Sequence, residues 1–217
     1  IAHRSRVTAG TSLWMSRVTS HRSRVTLDWY HEVFNQPVPR AGMDLGLDGN
    51  AALCTAASSG LGLASAVSLA REGADVAICG RTPEHLEEAK ATLEAAGDGD
   101  VLAIEADLTD RAEVEALVEQ TVDTFGGLDH LVMSAGGPPS GSFAEISDDE
   151  WYGAFDTLVM SAVWATRYAR PHLADSDAGS VVAITSRSVI EVIDDLVLSN
   201  AVRRAVIGLV QTQAREL

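Results

Sequence analysis

Between an apolar run, "AALC", and a helical pattern, "LASAVSLAREG", the chain reads "TAASSGLG": Thr55, Ala56, Ala57, Ser58, Ser59, Gly60, Leu61 and Gly62. Small side chains in such a turn let backbone approach a pyrophosphate. The helix that follows offers free N–H groups and the positive end of its dipole. Three further stretches could complete a dinucleotide site. "GRTP" places Arg81 after a second apolar run. A cation there accepts the 2′-phosphate of NADP, whereas an acid repels it and favours NAD. A solvated surface arginine is the other reading of Arg81. "ADLTD" supplies Asp107, which can accept from an adenine amino group, and "SAGG" (134–137) again lets backbone lie close to a ligand. Near the end, "LSNAVRRAV" (198–206) opens an apolar run with Ser199 and Asn200 and interrupts it with Arg203 and Arg204. Ser199 and Arg203 stand four apart, so they share one face of a helix.

These groups need elements to hold them. Apolar runs at 51–56, 74–80, 101–107 and 179–186, with a fourth strand in "DHLVMSAGG", alternate with helical patterns. Thr82 is the expected N-cap of the second helix, with Pro83 at its first position. In the third, Val114, Leu117, Val118, Val122 and Phe125 fall on one face. Ser147 and Glu150 have capping-box spacing for the helix after strand four. Strand–helix repeats of this length predict a single α/β domain, a doubly wound parallel sheet with helices on both faces. Ligands in such sheets bind outside the carboxyl ends of the strands. The strand exits are therefore 55–62, 80–82, 107–109, 134–137 and 185–188.

The chain's 217 residues suffice for one domain with a real core. Its net charge of −15 and 46% hydrophobic content exclude a disordered or nucleic-acid-binding chain. Lys90 is the sole lysine. An acidic, lysine-poor surface suits a protein at high salt, where charge repulsion is screened to within ~3 Å at molar concentration. Two cysteines, Cys54 and Cys79, lie inside apolar runs, which points to a reducing cytoplasm and to no disulfide framework. No stretch approaches the ~18 apolar residues of a membrane span, and the N-terminal residues lack the apolar core of a signal peptide. No metal site is expected.

Residues 1–42 differ from the rest. "HRSRVT" occurs at 3–8 and 21–26, and the charge sign flips at the join "NQPVPRAGMDLGLDG". A basic arm for an acidic partner is one reading. The expectation is an unstructured extension, with Met43 as the natural start of the domain 43–217.

The order "TAASSGLG", "EADLTD", "SAGG" and "GSVVAITS", together with "WYGAFDTLVMSAVWATRYARPHL", resembles the short-chain dehydrogenase/reductase family, and within it members akin to ketoacyl-carrier-protein reductases. The resemblance covers 45–217. It implies a Rossmann-type fold, a nicotinamide cofactor held by the four exits (with Leu108 and Ala135 beside Asp107 and Ser134, and Gly136 closing the fourth turn), and hydride transfer at a ketone or alcohol. It also implies a homo-oligomer built through the helices around 147–173 and 198–217.

That family carries an Asn after strand four, a Ser closing strand five, and Tyr-x-x-x-Lys thirteen residues further on. Ser186 matches the Ser. Ser199 stands in the Tyr position, Arg203 in the Lys position, and Leu158 in the Asn position; Ser134 replaces an Asn of the fourth exit. A Ser hydroxyl is a far weaker acid than a phenol of pKa ~10. Arg203 keeps the charge and could hold ribose hydroxyls with a different donor fork. Three readings stay open: an active reductase whose proton moves through Ser186, Ser199, Arg203 or water; an NADP(H)-binding protein without catalysis; and an incomplete piece with no function of its own. Family chains continue through a sixth strand, a substrate lid and a seventh strand, so the expectation is a truncated, poorly stable domain with one unpaired sheet edge.

Overall fold

In the computed structural model, residues 45–216 are described. The expected extension 1–42 lies outside them. Five strands form one wholly parallel sheet in the order β3-β2-β1-β4-β5: β1 Ala51–Cys54, β2 Asp75–Gly80, β3 Val101–Glu105, β4 His130–Met133 and β5 Ser180–Ala183. Continuous apolar runs such as "AALC" and "HLVM" are buried on both faces, as a covered parallel sheet requires.

The helices divide between the two faces. α1 (Gly60–Arg71) and α2 (Pro83–Glu94) pack Leu63, Val67, Leu86 and Leu93 against Cys54, Val76, Ile78 and Val132. α3 (Arg111–Phe125), α5 (Ser161–Asp175) and α6 (Val197–Glu216) cover the other face, with Leu117, Leu173 and Leu198 against Leu53, Leu131 and Met133. Alternate strand residues point to opposite faces, so Cys54 and Cys79 belong to different clusters. Both thiols are fully buried, and burial pushes each up to about 12.

The strands stop earlier than their apolar runs. β4 and β5 pair only as far as Met133 and Ala183, with one more bond from Ile184 N to Met133 O. Ser186 is therefore the N-cap of a 3-10 turn, Arg187–Val189, rather than the last strand residue. The Ser147–Glu150 capping box forms and starts α4 (Asp148–Phe155). Thr82 occupies the N-cap of α2, yet its side chain makes no capping bond. Between α4 and α5 the helix widens into a π turn, Asp156–Met160. Among the described residues β5 is a sheet edge, and Val182 on it is 52% exposed.

The amino ends of the central strands are tied by a polar set. Asp129 accepts from Ala51 N and Ser176 Oγ, and His130 sits between the Asn50 amide and Ser180 Oγ. Asn50 Nδ2 is the donor to His130 Nε2, so the His130 Nδ1–H faces Ser180.

Candidate active site

The first exit is held open by its neighbours. Thr55 Oγ1 donates to Ser134 O at 2.7 Å and accepts from Ser134 N at 2.9 Å, which locks the exits of β1 and β4 together. Ala57 N donates to Cys79 O, so the turn is also tied to β2. Ala56 adopts φ +46°, a left-handed conformation that is costly for a residue with a Cβ. A Cβ on Gly62 would lie 2.7 Å from Ala56 O, so only glycine lets α1 start this close beneath the turn. Ser58 packs against Gly80, where an added Cβ would meet Ser58 Oγ at 2.9 Å. Ser59 caps α1 in position but with no side-chain bond, which leaves the first N–H groups free for a ligand. Gly60 and Leu61 are exposed there, Leu61 by 68%.

At the second and third exits, Arg81 is exposed and its charge is felt at Asp107. The Asp107 carboxyl is held below the usual carboxylate range, first by Thr109 N–H, then by the Thr109 hydroxyl, and last by Arg81. It is an ionised acceptor at neutral pH. Leu108 beside it is buried, and Gly136 at the fourth exit is open to solvent.

Thr55, Leu108, Ser134, Ala135 and Arg203 converge on one cavity of about 20 Å³, closed by the π turn and α5 through Leu158 and Ser161. Arg203 is half-buried, and burial lowers its guanidinium pKa. Its Nε is buried and meets no acceptor. The adjacent Arg204 is exposed and does not line the cavity.

Ser186 and Ser199 do not line this cavity; they meet through a third residue. Ser186 Oγ accepts from Ser188 N at 3.1 Å, and Ser188 Oγ pairs with Ser199 Oγ at 2.9 Å in a buried contact. Sequence reasoning missed Ser188, which carries no periodic or motif signal. It also missed the role of Asn200, whose amide both accepts from Ile193 N and donates to Ile193 O. That pair clamps the segment leading into α6. A parallel bridge, Gly141 to Leu196, joins the loop after β4 to the same segment. Of the described tyrosines, neither lines the cavity: Tyr168 accepts from Arg111 Nε at 2.8 Å, and Tyr152 is 71% exposed.

The geometry thus presents a helix N-terminus without a side-chain cap, an acceptor at the third exit and a guanidinium whose buried Nε has no partner beside the fourth. Comparison with known proteins points the same way. A family model described as short chain dehydrogenase matches residues 50–217. An uncharacterized oxidoreductase of Staphylococcus aureus (strain USA300) is 31% identical over 166 residues, spanning 76% of this chain and 71% of that protein. The structure of L-sorbose reductase from Gluconobacter frateurii complexed with NADPH and L-sorbose superposes with a TM-score of 0.77 at 31% identity, over 80% of this chain and 66% of that one. That of an NADH-dependent reductase complexed with NAD gives 0.74 at 28% identity, over 81% and 75%. The chain belongs to the short-chain dehydrogenase family.

Proposed function

We propose that this chain is a nicotinamide-dependent oxidoreductase acting on a small ketone or alcohol, with NADPH preferred and NADH possible. The observation that carries this reading is Arg203: a guanidinium half-buried beside the β1 and β4 exits, with Nε unpartnered, in the slot where the family keeps a cation. An oxygen-rich ligand such as a ribose supplies the acceptors that the protein does not. The uncapped α1 terminus, with Ser58, Ser59, Gly60, Leu61 and Gly62, fits a pyrophosphate. Arg81 fits a 2′-phosphate, and Asp107 fits an adenine amino group.

A nicotinamide cofactor held by these residues would supply a hydride to a carbonyl carbon. The chain's own groups then act on the oxygen and its surroundings. Ser186 presents its hydroxyl to the carbonyl oxygen. Ser199 holds the 3-10 turn that carries Ser186, through Ser188. Arg203 holds the ribose and keeps positive charge near the developing alkoxide. The proton comes from Ser186 or from water, with solvent restoring it. Replacing a positioned phenol in this way costs about 10²–10⁴ in rate, so turnover is slow.

A second reading, a cofactor-binding protein without catalysis, is favoured by one observation: the Ser199 hydroxyl is buried against Ser188. NADPH oxidation across a panel of neutral ketones, alongside direct binding, separates the two. Ketone-dependent turnover lost in Ser186→Ala supports the enzyme; binding without any turnover supports the second reading.

We also propose a high-salt, cytoplasmic setting, consistent with the acidic surface and two buried thiols. No helix among the described residues is long and apolar enough to cross a membrane. Self-association through α4, where Tyr152 and Phe155 are exposed, predicts a multimer by light scattering. Deleting residues 1–42 is expected to leave folding and cofactor binding intact.

A further inference from the structure

We propose that His130 and Asn50 form a pH-sensitive latch: protonation of the ring turns the Asn50 amide over, breaks its bond to the Gly46 carbonyl and so loosens the turn that leads into β1. His130 is a buried titratable group that the proposed reaction does not use. It opens β4, at the opposite end of the sheet from the strand exits, in register with Ala52 of β1 and Ser180 of β5.

Both ring nitrogens are engaged. Nε2 meets Asn50 Nδ2 at 3.0 Å, and Nδ1 meets Ser180 Oγ at 2.9 Å. Asn50 Nδ2 also donates to Gly46 O at 3.3 Å. An amide nitrogen only donates, so Nε2 is the acceptor and the ring is neutral in this arrangement. Protonation, which a histidine reaches near physiological pH, puts a second donor on Nε2, facing an NH2 group. Ser180 Oγ accepts from Nδ1–H in both states, so the conflict falls on Asn50. A half-turn of the amide resolves it, because Oδ1 then accepts from Nε2–H. The same half-turn points Oδ1 at Gly46 O. Two acceptors repel, so that carbonyl has to move.

The surrounding charges leave the amide as the moving part. Asp129 precedes the ring, and its charge favours protonation while burial opposes it. Its own oxygens are committed to Ala51 N and Ser176 Oγ, so it cannot swing to the ring. Asp75 of β2, in register with Ala51, accepts from Asp100 N. Asp48, Asp175 and Asp177, at the same end of the sheet, are exposed and make no bond to the ring. Asn50 O keeps Asp75 N in both states, so β1 stays paired when the turn before it opens.

The latch does not depend on the proposed function, and NMR of the full chain from pH 8 to 5 tests it. At pH 8 the ring nitrogens are expected to show the Nδ1–H tautomer. Three signals are then expected to shift with one midpoint below 6.5: the ring, the Asn50 side-chain NH2, and the backbone nitrogen of Leu47, which is bonded to the Gly46 carbonyl. In Asn50→Asp a carboxylate faces Nε2, so the ring midpoint is expected to rise above 6.5, and Leu47 to lose its transition below that pH. An Nε2–H tautomer at pH 8, or a ring that titrates while Asn50 and Leu47 stay still, overturns the latch. So does a ring that remains neutral to pH 5, a chain that unfolds before the ring titrates, or a midpoint unaltered in Asn50→Asp. Should that variant fail to fold, the wild-type titration decides alone.

Discussion

Gly62→Ala tests whether the first exit is shaped as a ligand cradle. The added methyl would lie 2.7 Å from Ala56 O and 3.0 Å from Ala57 Cα. Both obstacles are backbone, so no side chain can swing aside. Either α1 retreats or the turn 55–59 moves, and the turn is tied to β4 through Thr55 and Ser134 and to β2 through Ala57 and Cys79. Overpacking of this kind costs about 1–3 kcal/mol. For a domain of this size that lowers Tm by about 2–12 °C. The larger effect falls on binding. A pyrophosphate held by backbone N–H groups needs them in place to within about 0.5 Å, so NADPH affinity is expected to drop at least about tenfold, the equivalent of 1.4 kcal/mol. Circular dichroism melts and fluorescence titration read the two effects. A variant that binds NADPH like wild type, whatever its Tm, would refute the assignment of this turn to the pyrophosphate.

Other expectations follow from single contacts. Arg81→Asp removes a charge-assisted contact to the 2′-phosphate worth about 1.5–3 kcal/mol, so the NADPH-to-NADH affinity ratio should fall about 10- to 100-fold; an unchanged ratio makes Arg81 a surface residue. Ala56→Gly relieves the φ +46° conformation, and the gain of about 1–2 kcal/mol less the glycine entropy cost of about 0.4–1 kcal/mol leaves a small rise in Tm; a fall counts against strain at that position. Burial holds the His130 pKa below its usual value of 6.5, with Asp129 opposing. The unfolded chain then binds the proton first, so stability declines as pH drops below 6.5 toward the lower folded value. His130→Gln should flatten urea midpoints between about pH 6.5 and 5.5, where unperturbed carboxylates (pKa about 4) do not titrate; an unaltered slope assigns the loss to other groups.

The layout of the sheet was readable because a covered parallel sheet writes itself as unbroken apolar runs, and each run ended at an exit rich in small or polar residues. Strand ends were less legible. "VVAITS" is apolar through Ile184, but β5 pairs only while β4 has partners, so the ladder stops at Ala183. The spacing from Ser186 to Ser199 placed both hydroxyls in one neighbourhood, but not their connection. That depends on how the turn at 187–189 packs onto α6, a long-range matter with no local signature. Ser188 and Asn200 were missed for the same reason. The π turn at 156–160 was invisible too, since one extra residue in a helical pattern leaves its apolar periodicity nearly unchanged. The unpaired Arg203 Nε could not be read from sequence, because the neighbours that fail to meet it come from four separate strand exits and two helices.

The central claim is that the strand exits and Arg203 bind a nicotinamide dinucleotide. Direct calorimetric titration of the purified chain with NADPH and with NADH, at about molar salt where exposed charges are screened to within ~3 Å, tests it without reference to any substrate. Saturable one-site binding of NADPH, tighter than NADH and weakened in Arg203→Met, is the predicted result. A folded wild-type protein that takes up neither dinucleotide would contradict it.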